Sequence, residues 1–264
     1  MSEYRIQSET LEAIGDAIRS KTGGSALITP EDMADEIASI GAGSIPNTIQ
    51  PVEYIGNNGT GFVPLNYTIS SGNIRFVLEY YCSSKPDSEG CFFGASSGRQ
   101  TVLEIGLSNT NGRIFAYSNS SAGINNLSSL YGNVVKVDAE FFPTSPYKTL
   151  SVTIDGTTYT STDTPTGNDS FIGQTLSAFS SQTDSYTLPF IGRLFGLTVY
   201  ENGIKCMELI PCYRKADGKI GFYDVLRAIF LEAKNQSAMY KGEDLATESD
   251  YIDALNELGV NADA

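Results

Sequence analysis

Between residues 75 and 211, apolar and polar residues alternate with a period of two in a series of short runs. Residues 75–82 (RFVLEYYC), 101–107, 113–117, 134–142, 148–153, 194–200 and 204–211 each read as a strand. Asp155-Gly156 and Asn202-Gly203 stand between strand pairs and are the dipeptides favoured in two-residue hairpin turns. Many short strands separated by turns predict a mainly β fold, an antiparallel β-sandwich of the jelly-roll kind.

The ends follow a different period. Leu11, Ile14 and Ile18 recur at helical spacing, and the run stops at Gly23-Gly24. A second helix is predicted from Thr29 as N-cap, Pro30 at the first position, and Glu31 and Asp32 in the first turn. Met33, Ile37 and Ile40 form its stripe, and Gly41 ends it. Near the C-terminus, Tyr251, Ile252, Leu255 and Leu258 predict a third helix, capped by Ser249. The chain therefore divides into an N-terminal helical hairpin (1–43), a β body (44–243) and an acidic C-terminal helix (244–264). Helices of about three turns do not persist alone, so the N-terminal stripes must pack on something, and docking onto a larger assembly is one use for them.

Charge sharpens this division. The 264 residues carry a formal charge of −14. Residues 1–45 hold eight acids and three bases, and residues 243–264 hold seven acids and no base. Residues 46–242 are nearly neutral, with 14 bases and 16 acids. Phosphate binding needs concentrated Lys and Arg, so nucleic acid is not expected as a partner. Histidine is absent altogether, which excludes Ser-His-Asp or Cys-His catalysis and His-ligated zinc. Cys82, Cys91, Cys206 and Cys212 form no CxxC pair; Cys206 and Cys212, six apart in one predicted strand, are expected to be buried on one side. No run of about 18 apolar residues predicts a membrane span, and the N-terminus lacks a signal-peptide pattern.

Two segments of the body are familiar. Residues 209–224 (LIPCYRKADGKIGFYD), following the turn at Tyr200-Glu201-Asn202-Gly203, resemble the late strand pair of concanavalin A-like (LamG-like) jelly rolls found in phage and prophage structural proteins. Val52-Glu53-Tyr54-Ile55, followed by Asn58-Gly59-Thr60, is similar to the opening of the same domains. The segments 11–19 and 28–37 resemble an N-terminal module of phage tail and appendage proteins. The resemblance implies a virion protein assembled in a host cytoplasm, attached to other virion proteins through the N-terminal helices. It also implies a homo-oligomer, a trimer by analogy with fibre proteins. The chain departs from the pattern after Asp224, where 225–231 (VLRAIFL) contain no glycine for the final hairpin turn.

Little in the body suggests chemistry. Glucanases of this fold class use paired carboxylates on a strand. Their Glu-x-Asp-x-x-Glu motif is missing, and the nearest approximation, Asp138-Ala139-Glu140, reads as outward-facing strand residues. No cofactor is expected. Calcium is conceivable only through oxygens of Asp163, Asn168 and Asp169, or of Asn57 and Asn58. The glycines from Gly56 to Gly61 lack the Lys-Ser/Thr of a phosphate-binding loop. For a ligand, the richest stretch is 117–131, where Tyr117, Asn119, Asn125, Asn126 and Tyr131 combine aromatic faces with amides in what reads as one long loop. These observations favour a non-enzymatic virion adhesin binding bacterial-surface or mucus glycans. The alternative is an architectural capsid or tail decoration protein without a receptor.

Overall fold

The computed structural model describes residues 45–97, 100–109, 112–118, 120–142, 148–163, 171–180 and 189–245. All but Ile45 belong to one unit, Pro46–Ala264. The helical periods predicted over 11–40 and 251–258 lie outside the described residues. In chain order the strands are β1 (Ile49–Pro51), β2 (Ile55–Asn57), β3 (Val63–Thr68), β4 (Ile74–Tyr81), β5 (Gly90–Ser97), β6 (Gln100–Ser108), β7 (Arg113–Ser118) and β8 (Ser120–Ile124). They continue as β9 (Val134–Phe141), β10 (Lys148–Ile154), β11 (Thr157–Asp163), β12 (Thr175–Ala178), β13 (Gly192–Glu201), β14 (Ile204–Arg214), β15 (Ile220–Asp224), β16 (Ile229–Glu232) and β17 (Met239–Lys241). Helical structure among the described residues is limited to two 3-10 turns, Ser128–Leu130 and Gln236–Ala238.

These strands form an antiparallel β-sandwich. The larger sheet runs β11-β10-β9-β4-β13-β14-β15-β16, with β1 beside β14, and β2 between β13 and β17. The smaller runs β3-β12-β5-β6-β7-β8. The chain crosses repeatedly between sheets, so neither sheet folds from one continuous stretch.

Alternation determines which residues fill the space between the sheets. Ile74, Phe76, Leu78 and Tyr80 of β4, with Val135, Val137 and Ala139 of β9, face Leu103, Ile105 and Leu107 of β6 and Ile114 and Ala116 of β7 in one core. Aromatic rings bridge the layers: Phe76 meets Phe93 at 4.7 Å between centroids, and Tyr80 stacks on Phe92 at 4.2 Å. Each such side chain contributes about 1.5–3 kcal/mol by leaving water.

The predicted hairpins are present. Asp155 (φ 48°) with Gly156 (φ 76°), and Asn202 (φ 51°) with Gly203 (φ 78°), both place two successive residues in the left-handed region, as the turn that matches strand twist requires. At Cys206 the simple alternation fails. The β13–β14 register shifts between Val199 and Tyr200, leaving Cys206 out of the ladder and half-buried, whereas Cys212 is fully buried. The two thiols therefore do not form the buried pair expected from their spacing, because a bulge adds one residue to the count.

The final hairpin forms despite its missing glycine. Residues 225–228 join β15 to β16, and Ala228 takes the left-handed position at φ 53°. Asp224 compensates from within: its Oδ1 accepts the backbone N–H of Leu226 at 3.0 Å, and its carboxylate holds the Arg227 guanidinium. The sandwich also reaches past the predicted boundary at 243. Asp244 pairs with Val52, and the Leu245 N–H donates to the Pro51 carbonyl at 3.0 Å.

Candidate functional site

The first part of the stretch 117–131 belongs to strands β7 and β8 rather than to one long loop. Tyr117 lies in β7, paired with Ser121 of β8, and Ser118 pairs with Ser120. Asn119 is outside the described residues. Asn125 and Asn126 are exposed beyond the far end of β8, with Asn126 at φ 64°. Four residues of extended strand separate the Tyr117 level from Asn125, about 13 Å at the usual rise. Tyr131 packs against the core with its hydroxyl buried. Among the described residues, Tyr117 is thus held apart from Asn125 and Asn126. The run of Ser, Asn and Gly disguised a strand pair, because β-propensity follows packing more than composition.

The outer face of the smaller sheet has polar character near Tyr117. Glu104 opposes it across the β6–β7 ladder. The Glu104 carboxyl is buried, and its Oε1 has no hydrogen-bond partner. Burial, reinforced by the neighbouring charge of Glu89, pushes its pKa up to about 8. Gly106 makes room here, since a Cβ would lie 3.1 Å from Glu104 Oε1 and 3.2 Å from the Phe115 ring. Arg113 lies over Phe115 at 5.5 Å and donates to Ser121 Oγ at 2.5 Å.

On the outer face of the larger sheet, Asp138 is committed to an ion pair. Arg75 Nε and Nη2 donate to its two oxygens at 2.8 and 2.7 Å, a bidentate geometry. Glu140 sits directly opposite Arg75. Glu79, four residues beyond Arg75 on the same face of β4, is buried; its pKa is raised to about 7 by desolvation, which the charge of Lys136 partly offsets. Asn57, a calcium candidate, is likewise occupied. Its Oδ1 accepts the N–H groups of Gly59 (3.0 Å) and Gly61 (2.9 Å), and its amide donates to the Phe190 carbonyl at 2.9 Å. Asp163 ends β11 opposite Lys148; Asn168 and Asp169 are outside the described residues.

A more open constellation lies farther along this sheet, across four adjacent strands. Tyr240 of β17 pairs with Gly56 of β2, Gly56 with Arg193 of β13, and Arg193 with Tyr81 of β4. At the usual strand spacing this row is about 14 Å long. Gly56 is required at its centre: a Cβ there would come 2.2 Å from Cζ of the Tyr240 ring, which lies across it. Tyr54 joins from the residue before β2. Arg193 Cζ sits 4.5 Å from the Tyr54 ring centre and 4.9 Å from that of Tyr81. Tyr54 also meets Phe195 edge-on at 5.6 Å and Tyr240 at 6.2 Å. Tyr54, Tyr81, Arg193, Phe195 and Tyr240 are all half-buried, so each offers part of its surface to solvent. Chemically, this is an aromatic platform around one cation. Sequence reasoning missed it because its members are neighbours only through strand pairing; the outward parity of Arg193 in its strand was the available signal.

No protein-family profile matches the chain, and no curated protein matches it. Among solved structures, a heptameric SAP-like pentraxin from Limulus polyphemus is similar at 13% identity and a TM-score of 0.42, over 57% of this chain and 76% of that one. Domains LG4-5 of the mouse laminin α1 chain match at 16% identity and a TM-score of 0.40, over 59% of this chain and 44% of theirs. Tailspike protein 2 of an Escherichia coli bacteriophage matches at 12% identity and a TM-score of 0.39, over 52% of this chain and 21% of that one. The similarity thus takes in less than half of the laminin and tailspike chains. Among the described residues, no helix is long and apolar enough to cross a membrane.

Proposed function

We propose that this chain is a non-enzymatic virion appendage protein of a phage, whose β-sandwich binds glycans of a bacterial surface or of mucus. The observation that carries the glycan reading is the row Tyr240–Gly56–Arg193–Tyr81 with Tyr54 beside it. Half-buried aromatic rings present apolar faces suited to the C–H faces of sugar rings, and a guanidinium among them supplies several directed donors. A rigid sheet holds these groups in place without a loop having to order on binding. The commitment of Asp138 to Arg75 supports binding without hydrolysis. The virion reading rests on the resemblance of residues 209–224 and 52–60 to phage jelly rolls, and of 11–37 to an appendage module. In it, segment 1–43 attaches the protein to other virion proteins, and the sandwich is displayed as a homo-oligomer.

Two measurements test it. The purified chain is expected to bind host cells, and periodate oxidation of the cell-surface sugars is expected to remove that binding; binding that survives periodate contradicts the glycan reading. Particles assembled with a chain lacking residues 1–45 are expected to lack the protein while the truncated chain still folds. Normal incorporation of the truncated chain contradicts the attachment role.

A further inference from the structure

Arg193 differs from the other described arginines in what its guanidinium touches. Arg75 is bound to Asp138, Arg214 to Asp217 and Glu232, Arg227 to Asp224, and Arg113 donates to Ser121. Arg193 lies against the rings of Tyr54 and Tyr81 and, among the described residues, donates to no oxygen. On the same face of β4, Glu79 stands two residues before Tyr81. That carboxyl is buried, and the cation that influences it is Lys136 rather than Arg193.

A guanidinium carries five N–H donors in one plane. Rings over that plane satisfy its charge in part but leave its in-plane edge unused. That edge matches two oxygens of one carboxylate, and a guanidinium sheds its water more readily than an ammonium does. We infer that the ligand supplies the missing anion, and that this face takes carboxylate-bearing sugars, with the acid on Arg193 and the ring against Tyr54 or Tyr81. This rests on the glycan reading above and narrows it to one substrate class. The net charge of −14 does not oppose it, because residues 46–242 are themselves nearly neutral, with 14 bases and 16 acids.

The test is ligand-observed NMR on the full chain with D-glucuronic acid, N-acetylneuraminic acid, D-glucose 6-phosphate and D-glucose. Both carboxylate sugars are expected to bind at least tenfold more tightly than glucose. Arg193→Lys, which keeps the charge but not the fork, is expected to lose at least tenfold for them. Glucose binding as tightly as the acids, or Arg193→Lys binding the acids unchanged, overturns this inference while leaving glycan binding intact. Preference for the phosphate sugar over both acids overturns the carboxylate assignment. No saccharide bound by the native chain, here or on a broad glycan array, overturns the glycan reading and this inference with it. The comparison of the four sugars on the native chain needs no variant, so it decides the matter even if a substitution prevents folding.

Discussion

The fully buried Asp224 and the Arg227 guanidinium three residues on form one ion pair that turns the last hairpin and ties the two sheets together. From the same side chain, Arg227 Nη1 donates to the Asn66 carbonyl at 2.7 Å and Nη2 to that of Leu65 at 2.8 Å, both in β3 of the smaller sheet. It also lies over the Tyr67 ring at 5.6 Å. The pair therefore replaces, with a side-chain lock, the glycine on which the resembling domains turn. Removing either partner leaves a charge stranded. Asp224→Ala is expected to destabilise the sandwich by about 3 kcal/mol, and Arg227→Ala by at least as much, because the carboxylate is the more deeply buried partner. In denaturant titration the double variant should lose less than the sum of the two. Additive losses would show that the pair does not act as a unit.

Ala228 at φ 53° occupies the position for which glycine is suited. The left-handed conformation costs a residue with a Cβ about 1–2 kcal/mol, and glycine returns part of that through its freer unfolded state. Ala228→Gly is therefore expected to raise the denaturation midpoint, by the equivalent of about 0.5 kcal/mol. A lowered midpoint would mean that the turn depends on the alanine methyl group.

Two buried carboxyls set the pH dependence of stability. Glu79 titrates near 7 and Glu104 near 8, both raised chiefly by burial, whereas the unfolded chain releases these protons near 4.5. Between those limits the folded state holds more protons than the unfolded one. Their contribution is fully present below about pH 4.5 and is lost as pH rises through 7 to 8, by roughly 1.4 kcal/mol per pH unit for each group in its window. Asp217 and Glu232, held below the usual carboxylate range by Arg214 and Lys219 respectively, act in the opposite sense only at lower pH. The native chain should therefore be more stable at pH 5.5 than at pH 8.5, and Glu104→Gln should flatten the difference. Greater stability at pH 8.5 would contradict the burial of these groups.

Gly56 ties glycan binding to the placement of the Tyr240 ring. A Cβ there must displace the Tyr240 ring, whose atoms lie 2.2–2.6 Å from its position. Gly56→Ala is expected to weaken glycan binding at least tenfold, with a stability loss of about 1–3 kcal/mol from overpacking. Unchanged affinity in that variant would place the ligand away from Tyr240.

The strands around Asp155-Gly156 and Asn202-Gly203 were readable from sequence because the turn chemistry is local: two residues determine the reversal and its register. The pairing of Asp224 with Arg227 is equally local, yet its meaning depends on β3, which approaches only in the folded sandwich. The hairpin of Tyr117 went unrecognised because the Ser and Gly of β8 carry little strand signal of their own and are held by the ladder to β7. The platform is the extreme case. Tyr54, Tyr81, Arg193 and Tyr240 stand far apart in the chain, and beyond the outward parity of Arg193 nothing in their immediate surroundings marks them until four strands come into register.

The most direct measurement is a glycan array probed with the native full chain and with a Tyr54→Ala/Tyr81→Ala variant, alongside denaturation midpoints for both. The native chain is expected to bind a defined set of glycans, and the variant to remain folded while losing at least tenfold in affinity for all of them. Absence of binding by the native chain, or equal binding by a folded variant, would contradict the assignment of this sheet face as a glycan site.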